Sequence, residues 1–549
     1  MFIVLRRLPD GGAELTPVGR PQPGTAPVVG ESVVVDEADL AMAVATREVE
    51  TSPRWVWDDT RRWYPRLLGL GVRVARCVDL RLCHALLRGS EATVGSELHG
   101  AAAGPYDVAQ AGVDDVAGLF EVVPESLPDP VGEFLRQRRA IESSPGRGGL
   151  ELLTTAESTG ALVACEMHHR GIPWSATVHD RLLTEALGPR PARGGERPVR
   201  MRDDVDEIRA ALGAPDLNPD SPADLLKVLQ RAGLGVASTS KWELRRHEHP
   251  VVEPLLRYKR RQRLLVANGW AWLDAWVRQG RFRPDYVPGG VVTGRWATSG
   301  GGALQLPKAV RAAVVADPGW TLVVADASQL EPRILTGLSR DVAMAAAGDG
   351  DLYEGIVASG AVATRAEAKV AMLGAMYGAT QGESGRLVPR LARRFPKAME
   401  YVEAAARTGE AGGVVSTLLG RSSPRPGEAV AADLPPEMDR GPVGRDARAW
   451  GRFTRNFVVQ GTAAEWALCW MGATRAALHE RFAGRGEGAP HLVFFLHDEI
   501  VVHSPADVAD EVVAIVEQSA VAAGRLLFGE APVRFPVTVA VVDDYSQAK

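Results

Sequence analysis

Two stretches of the chain place carboxylates where apolar strands end. TLVVADA (321–327) reads as a buried strand closing on Asp326, with Ser328, Gln329 and Glu331 just beyond it. In HLVFFLHDEIVVHSP (491–505), the run His497-Asp498-Glu499 separates two apolar segments, so these charges must occupy the turn and project from the sheet. Phosphoryl transfer from a nucleoside triphosphate uses two divalent cations about 3.5–4 Å apart, one activating the attacking hydroxyl and one steadying the leaving group. Mg²⁺ is a hard cation and takes carboxylate oxygens. Apposing the two elements would bring Asp326 and Asp498 together as metal ligands, with Glu499 in support. Each element also has a plain alternative: an Asp after a strand commonly caps a turn or a helix, and HDE can simply be a polar hairpin tip.

A second pattern is cationic. In TRAEAKVAMLGAMYGA (364–379), Arg365, Lys369, Leu373 and Tyr377 recur at steps of four, a slowly drifting stripe on one helix face. An Arg fork and a Lys point charge one turn apart can hold a triphosphate. Tyr377 lies two turns beyond Lys369, where a base could stack, and Gly374 and Gly378 leave room for a close approach. An exposed, solvated helix face has the same pattern. A further cluster, Arg257, Lys259, Arg260, Arg261 and Arg263 around Tyr258, reads either as a solvated helix face or as a nucleic-acid contact.

These residues need a large framework. The chain has 549 residues, enough for three or four domains. Hydrophobic residues make up 46% and charged residues 24%, as in ordinary globular proteins, and no apolar run of about 18 residues suggests a membrane span. The opening MFIVLRRLPDGG reads as a strand rather than a secretory leader, whose basic part would come first. Cys77, Cys83, Cys165 and Cys469 are scattered, which argues against a zinc site or a disulfide framework and for a reducing cytoplasm. The net charge of −5 leaves nucleic-acid binding to local clusters.

Residues 1–100 read as a small α/β region: strands in MFIVLRRL, ESVVVDE and PRWVWDD, and a helix in DLRLCHALLRG. Residues 119–150 are breaker-rich and read as a linker, TTAESTGALVACEMHHRG as a helix ending at Gly171, and 188–200 as a loop. The stretch 203–283 is mostly helical. Beyond it strands and helices alternate: a helix opened by a Thr364–Glu367 capping box, a long loop at 421–442, a helix through RNFVVQGTAAEW and a last strand in VRFPVTVAVVDD.

In combination the motifs resemble those of the family A DNA polymerases, the bacterial DNA polymerase I type, over roughly residues 215–549. ADASQLEPR is similar to the family's D-Y-S-Q-I-E-L-R, the HDE turn to its last palm motif, and Arg365, Lys369, Gly374, Tyr377 and Gly378 to R-x3-K-x3-F-G-x2-Y-G. TGRWATSGGGALQLP resembles T-G-R-L-S-S … L-Q-N-I-P, and RFTRNFVVQGTAAE resembles R-x3-N-x3-Q-G-T-A-A-D. The resemblance implies an α+β multidomain chain with a right-hand fold: thumb 203–290, palm 291–345 and 451–549, fingers 346–450. Residues 1–180 would be a degenerate 3′–5′ exonuclease-like (RNase H-like) domain and linker.

It further implies a template-directed DNA polymerase using two Mg²⁺ ions, with Mn²⁺ as a possible substitute. Primer–template DNA and deoxynucleoside triphosphates would be its partners, and a cytoplasmic, nucleoid-associated monomer its form. Gln329, Glu331 and His497 join Arg365, Lys369, Leu373 and Tyr377 around the nucleotide. Arg295, Gln305, Arg452, Asn456 and Gln460 serve the primer and template. Lys259, Arg260 and Arg261 neutralise phosphates from the thumb.

Several positions depart from the family pattern. Leu373 replaces an aromatic residue beside the incoming sugar, and Ala327 replaces a Tyr. Pro332 follows Glu331, which resembles the family's gate against a ribose 2′-hydroxyl. Pro is tolerated only in a first helical turn, which predicts a helix start near Ser328 and leaves a Ser328–Glu331 capping box as an alternative use of the Glu. The segment between Gln305 and Arg311 is shorter than usual. At the N-terminus Asp79 matches one acidic exonuclease position. No early D-x-E exists, and Gln110 stands where Y-x3-D, counted from Tyr106, needs an Asp. Proofreading is therefore not expected, nor is a preceding 5′-nuclease domain, because the chain opens directly on this region. Two other readings compete: a DNA-binding protein that retained the fold with weak or no catalysis, and a two-metal nuclease in the N-terminal region.

Overall fold

The structure, a computed structural model, describes residues 1–9, 11–19, 27–107, 129–379, 382–426 and 447–548. The chain folds as two compact units. One comprises Met1–Arg170, Pro284–Ser299 and Val323–Val541; the other comprises Gly171–Arg283, Gly300–Leu322 and Val542–Lys549.

The first unit opens with β1 (Phe2–Arg7), β2 (Ala13–Val18), β3 (Val33–Val35), α1 (Leu40–Thr51), β4 (Arg54–Trp57), α2 (Thr60–Gly69), β5 (Cys77–Asp79) and α3 (Leu80–Gly89). Its strands form one mixed sheet in the order β3-β2-β1-β4-β5, with β1 parallel to β4 and antiparallel to β2. The expected α/β region is present. The breaker-rich segment, expected as a linker, instead contains α4 (Pro130–Ser143), followed by α5 (Arg147–Arg170). The correction has a simple cause. Asp129 accepts from the Val131 amide as N-cap, and Pro130 takes the first helical turn, where its missing N–H costs nothing. Phe134, Gln137, Ala140 and Ile141 then bury one face.

The second unit is helical, as its pattern suggests. It contains β6 (Ile172–Pro173), α6 (Ala176–Leu187), α7 (Val199–Leu212), α8 (Pro222–Arg231), α9 (Lys241–Leu244), α10 (Val252–Asn268), α11 (Trp270–Trp276), β7 (Val277–Arg278) and β8 (Arg281–Phe282). Its core gathers Leu183, Ile208, Leu229, Leu244, Leu255 and Tyr258.

The chain continues through β9 (Asp285–Val287), β10 (Ala297–Gly300), β11 (Trp320–Ala327), α12 (Leu330–Ser339), α13 (Val342–Ala347), α14 (Leu352–Ala358), α15 (Arg365–Tyr377), α16 (Gly382–Arg394) and α17 (Pro396–Glu410). It ends with α18 (Ala447–Phe482), β12 (His491–Leu496), β13 (Glu499–Pro505), α19 (Ala509–Phe528) and β14 (Val537–Val542). Most of the loop expected at 421–442 lies outside the described residues.

The 36-residue α18 is the spine of the first unit. Its buried Arg475 donates to Glu166 of α5 at 2.7 and 2.9 Å and to the carbonyls of Val74 and Ala75 at 2.6 and 2.8 Å. Burial alone would raise the Glu166 carboxyl, but the Arg475 and Arg73 cations hold it at about 2. Nearby, Arg421 pairs with buried Glu157 of α5, while Glu465 of α18 accepts from Thr417 and, at 3.2 Å, from the Leu419 amide. Burial pushes Glu465 up to about 7.

Candidate functional site

The carboxylate strands lie side by side in a four-stranded sheet ordered β12-β13-β11-β14. β12 and β13 are antiparallel, and the pairing of Leu496 with Glu499 leaves His497 and Asp498 as a two-residue turn. His497 adopts φ 58°, and the Asp498 amide donates to the Leu496 carbonyl at 2.7 Å. This is a γ-turn of the strained hand, sparsely populated by non-glycine residues. The Ala327 amide donates to the Asp498 carbonyl at 2.8 Å, which ties the end of β11 to the hairpin tip. Asp326 and Asp498 therefore sit on adjacent strand ends, both partly exposed, while Glu499 is buried. Ala327 is buried too. Among the described residues no group of three or more His, Cys, Asp or Glu forms a metal-binding cluster. Two carboxylates nevertheless fit Mg²⁺, which keeps several waters and takes one or two carboxylates plus substrate phosphates.

Beyond β11 the chain turns sharply. Gln329 is the N-cap of α12 at φ 55°, so the helix starts two residues later than expected, with Pro332 in its first turn. The Ser328–Glu331 capping box does not form. The Ser328 hydroxyl meets Thr538 Oγ1 at 3.0 Å, and Glu331 instead forms an ion pair with Arg295. Tyr377 donates to Glu331 Oε2 at 3.4 Å, and Gln460 Nε2 donates to the Tyr377 hydroxyl at 3.1 Å. Arg295, Glu331, Tyr377 and Gln460 thus form one polar chain across four segments. Burial, with the Glu331 charge, raises the Tyr377 phenol.

Arg333, the last residue of the ADASQLEPR motif, holds this turn. Only 2% exposed, it donates to the carbonyls of Ser328 (3.0 Å), Gly348 (2.7 Å), Gly350 (2.5 Å) and Arg534 (3.1 Å) and to Gln329 Oε1 (3.2 Å). Asp351 is not among the sequence candidates. It caps α14 through the Glu354 amide at 3.0 Å, and its Oδ2 accepts from Gln329 Nε2 and Arg365 Nη2, each at 2.8 Å. Its sequence signal was the N-cap pattern of DLYE; its pairing with Arg365 is visible only in three dimensions. Arg365 also lies over the Tyr353 ring at 5.4 Å.

α15 matches the predicted helix. Thr364 Oγ1 accepts from the Glu367 amide, although the Glu367 carboxylate reaches back to Ala363 rather than to Thr364. Arg365, Lys369, Leu373 and Tyr377 are all exposed, while Ala368, Ala371, Met372, Ala375 and Met376 are buried. Gly374 serves helix packing instead of a ligand: a Cβ there would meet Ser384 Cβ of α16 at 2.7 Å. Gly378 closes the helix at φ 70°, and a Cβ on it would lie 2.9 Å from Arg452 Cγ. On α18, Arg452, Asn456 and Gln460 recur at four-residue steps and keep solvent contact between buried neighbours.

The remaining candidates lie elsewhere. Gln305 is exposed at the end of the short 3₁₀ turn Ala303–Gln305 of the second unit. In α10, Lys259 donates to the Thr239 carbonyl (2.6 Å) and hydroxyl (2.7 Å), and Arg257 and Arg261 both pair with buried Asp204 at 2.6 Å. The basic face expected there reduces to exposed Arg260 and Arg263, because helix packing claims the others. Asp79 is a buried cap, accepting from the Thr60 (2.8 Å) and Leu82 (2.9 Å) amides, and burial and Asp59 raise it to about 7. Gln110 lies outside the described residues.

The chain resembles known proteins over most of its length. The family model for DNA polymerase family A matches residues 198–546, more than half of the chain. The thermostable DNA polymerase I of Thermus filiformis is 28% identical over 325 residues, 53% of this chain and 36% of that protein. DNA polymerase I of Chloroflexus aurantiacus is 26% identical over 421 residues, 68% of this chain and 41% of that protein. The chain thus spans well under half the length of these curated relatives. The POL domain of Pol1 from M. smegmatis, solved in complex with DNA primer-template and dNTP, superposes with a TM-score of 0.67 at 20% identity, covering 98% of this chain and 93% of that one. That likeness establishes the shared fold. No helix among the described residues is long and apolar enough to cross a membrane. On the extent of the family match, the chain belongs to DNA polymerase family A.

Proposed function

We propose that the chain is a template-directed DNA polymerase that adds deoxynucleotides to a primer 3′ end, lacks proofreading, and serves repair or gap filling in the cytoplasm as a monomer. One observation carries this reading: the bond between the Ala327 amide and the Asp498 carbonyl, which brings the ends of the two inner strands together and with them Asp326 and Asp498. Glu331, five residues beyond Asp326, is in turn linked through Tyr377 to the exposed cationic stripe of α15. Residues 291–345 and 451–549 act as palm, 346–450 as fingers, 203–290 as thumb, and 1–180 as a degenerate exonuclease-like domain.

Asp326 and Asp498 would hold divalent cations, Mg²⁺ or in substitution Mn²⁺. Bound cations supply activation of the primer hydroxyl and charge neutralisation on the triphosphate. Arg365 and Lys369 bind the triphosphate oxygens, Arg365 exchanging Asp351 for them. Tyr377 packs against the incoming base and Leu373 against its sugar. Glu331, oriented by Arg295, occupies the space of a 2′-hydroxyl. Gln329 positions Asp351, and His497 borders the carboxylates at the turn. Arg452, Asn456 and Gln460 line the template and minor groove. Within the second unit, Gln305 serves the template and Arg260 neutralises phosphates.

Leu373 and the Arg365–Asp351 pair favour a second reading, a DNA-binding protein with weak catalysis. Primer extension separates the two. With a primed template and four deoxynucleotides, the polymerase reading requires template-dependent extension in Mg²⁺. Binding without extension in either Mg²⁺ or Mn²⁺ would establish the second reading instead.

A further inference from the structure

The segment between α8 and α10 presents a large aromatic residue to water. Trp242 is 76% exposed on the one-turn helix α9, and Lys241 Nζ lies 5.8 Å from its ring centroid. Leu244, two residues on and so nearly opposite on a helix, is fully buried in the core of this unit. The surrounding backbone is fastened. Ser240 caps α9, Glu243 accepts from the Ala237 and Ser238 amides at 2.5 and 2.8 Å, and Lys259 of α10 holds both oxygens of Thr239. The hydrogen bond from the Ser238 hydroxyl, then those from the loop amides, hold the Glu243 carboxyl below its usual range, so its charge is committed to the loop. Lys241, Arg245 and Arg246 are exposed on the same short segment, three and four residues beyond Trp242 in the case of the two arginines.

An exposed indole on a fastened segment that also carries three exposed cations has a specific chemical complement. Cations neutralise phosphates whatever the sequence, and a flat ring stacks on a base only where that base is unpaired and offers its face. We infer that Trp242, with Lys241, Arg245 and Arg246, forms a contact site for single-stranded DNA. The second unit alone carries it, and it does not depend on Asp326 or Asp498. Lys259 is a positioning residue for this platform, which accounts for its inward bonds to Thr239.

The test is fluorescence anisotropy of the full chain with a labelled 20-nucleotide oligo(dT) and a labelled 20-base-pair blunt duplex, in EDTA and without nucleotide. Trp242→Ala is expected to weaken oligo(dT) binding about tenfold and duplex binding less than twofold, with the salt dependence unchanged. Trp242→Phe should retain most of the affinity. The Arg245→Ala, Arg246→Ala double variant should flatten the slope of log K against log salt by about 1.4. Oligo(dT) affinity within twofold of the parent in Trp242→Ala would overturn the site. Equal losses on oligo(dT) and duplex would overturn its assignment to unpaired bases. Because binding is read without metal or nucleotide, single-strand binding and primer extension succeed or fail separately.

Discussion

Glu331 has two partners, the Arg295 guanidinium and the Tyr377 hydroxyl, and Tyr377 is held in turn by Gln460. A carboxylate held in this way cannot easily move aside for an added hydroxyl. Deoxynucleotides are therefore expected over ribonucleotides, and Glu331→Ala should narrow that preference about tenfold or more by removing the obstruction. Leu373→Phe should raise kcat/KM for deoxynucleotides by giving the sugar a flat surface. The ratio of kcat/KM values for each deoxynucleotide and ribonucleotide pair measures both effects, because it reports differential transition-state binding. A ratio unchanged in Glu331→Ala would separate the Arg295–Glu331 pair from sugar selection. The motif marks Glu331 as a candidate, but its orientation is visible only in the structure. Ser328 and Glu331 have the spacing of a capping box, and only the left-handed Gln329 at the N-cap shows why that box fails to close.

The elements that carry these residues are held by buried charge. On α18, Glu465 has a folded pKa of about 7 against an ordinary 4.5, raised by burial. The sign follows from linkage: the native state holds this proton more tightly, so the contribution is complete below pH 4.5 and lost as pH rises through 7. Glu465→Gln, a mimic of the neutral acid, should gain up to about 3 kcal/mol relative to the parent between pH 4.5 and 7.5. Denaturant midpoints at the two pH values check this, and a constant difference would contradict it. Arg475→Ala should cost about 2–3 kcal/mol, since it leaves the Glu166 carboxylate to Arg73 and the Tyr64 hydroxyl and takes the donor from the Val74 and Ala75 carbonyls. Helix α15 could be read from its Thr cap and apolar period, and the hairpin from two apolar runs around HDE. The α10 cluster could not be resolved from sequence: charge pattern alone does not say that Arg257 and Arg261 close on Asp204 while Arg260 faces water. α4 was hidden because Pro130 breaks a helix interior but suits its first turn.

At the scale of the whole molecule, the N-terminal sheet and the strand ends that carry Asp326 and Asp498 belong to one compact unit, in which Arg475 ties α18 to α5 and to the segment before β5. The one acidic residue matched to an exonuclease position, Asp79, is fully buried and caps two backbone amides. A mismatched 3′ end incubated with the protein and Mg²⁺ but no nucleotide should stay intact. Excision persisting in an Asp326→Asn, Asp498→Asn double variant would reveal a nuclease elsewhere in the chain. The central claim is that Asp326 and Asp498 together form the catalytic metal site, and single-turnover primer extension in Mg²⁺ addresses it most directly. Asp326→Asn and Asp498→Asn should each lower the rate of nucleotide addition by at least about 10²–10³, with primer–template binding retained. Either variant extending primers at close to the parent rate would contradict the account.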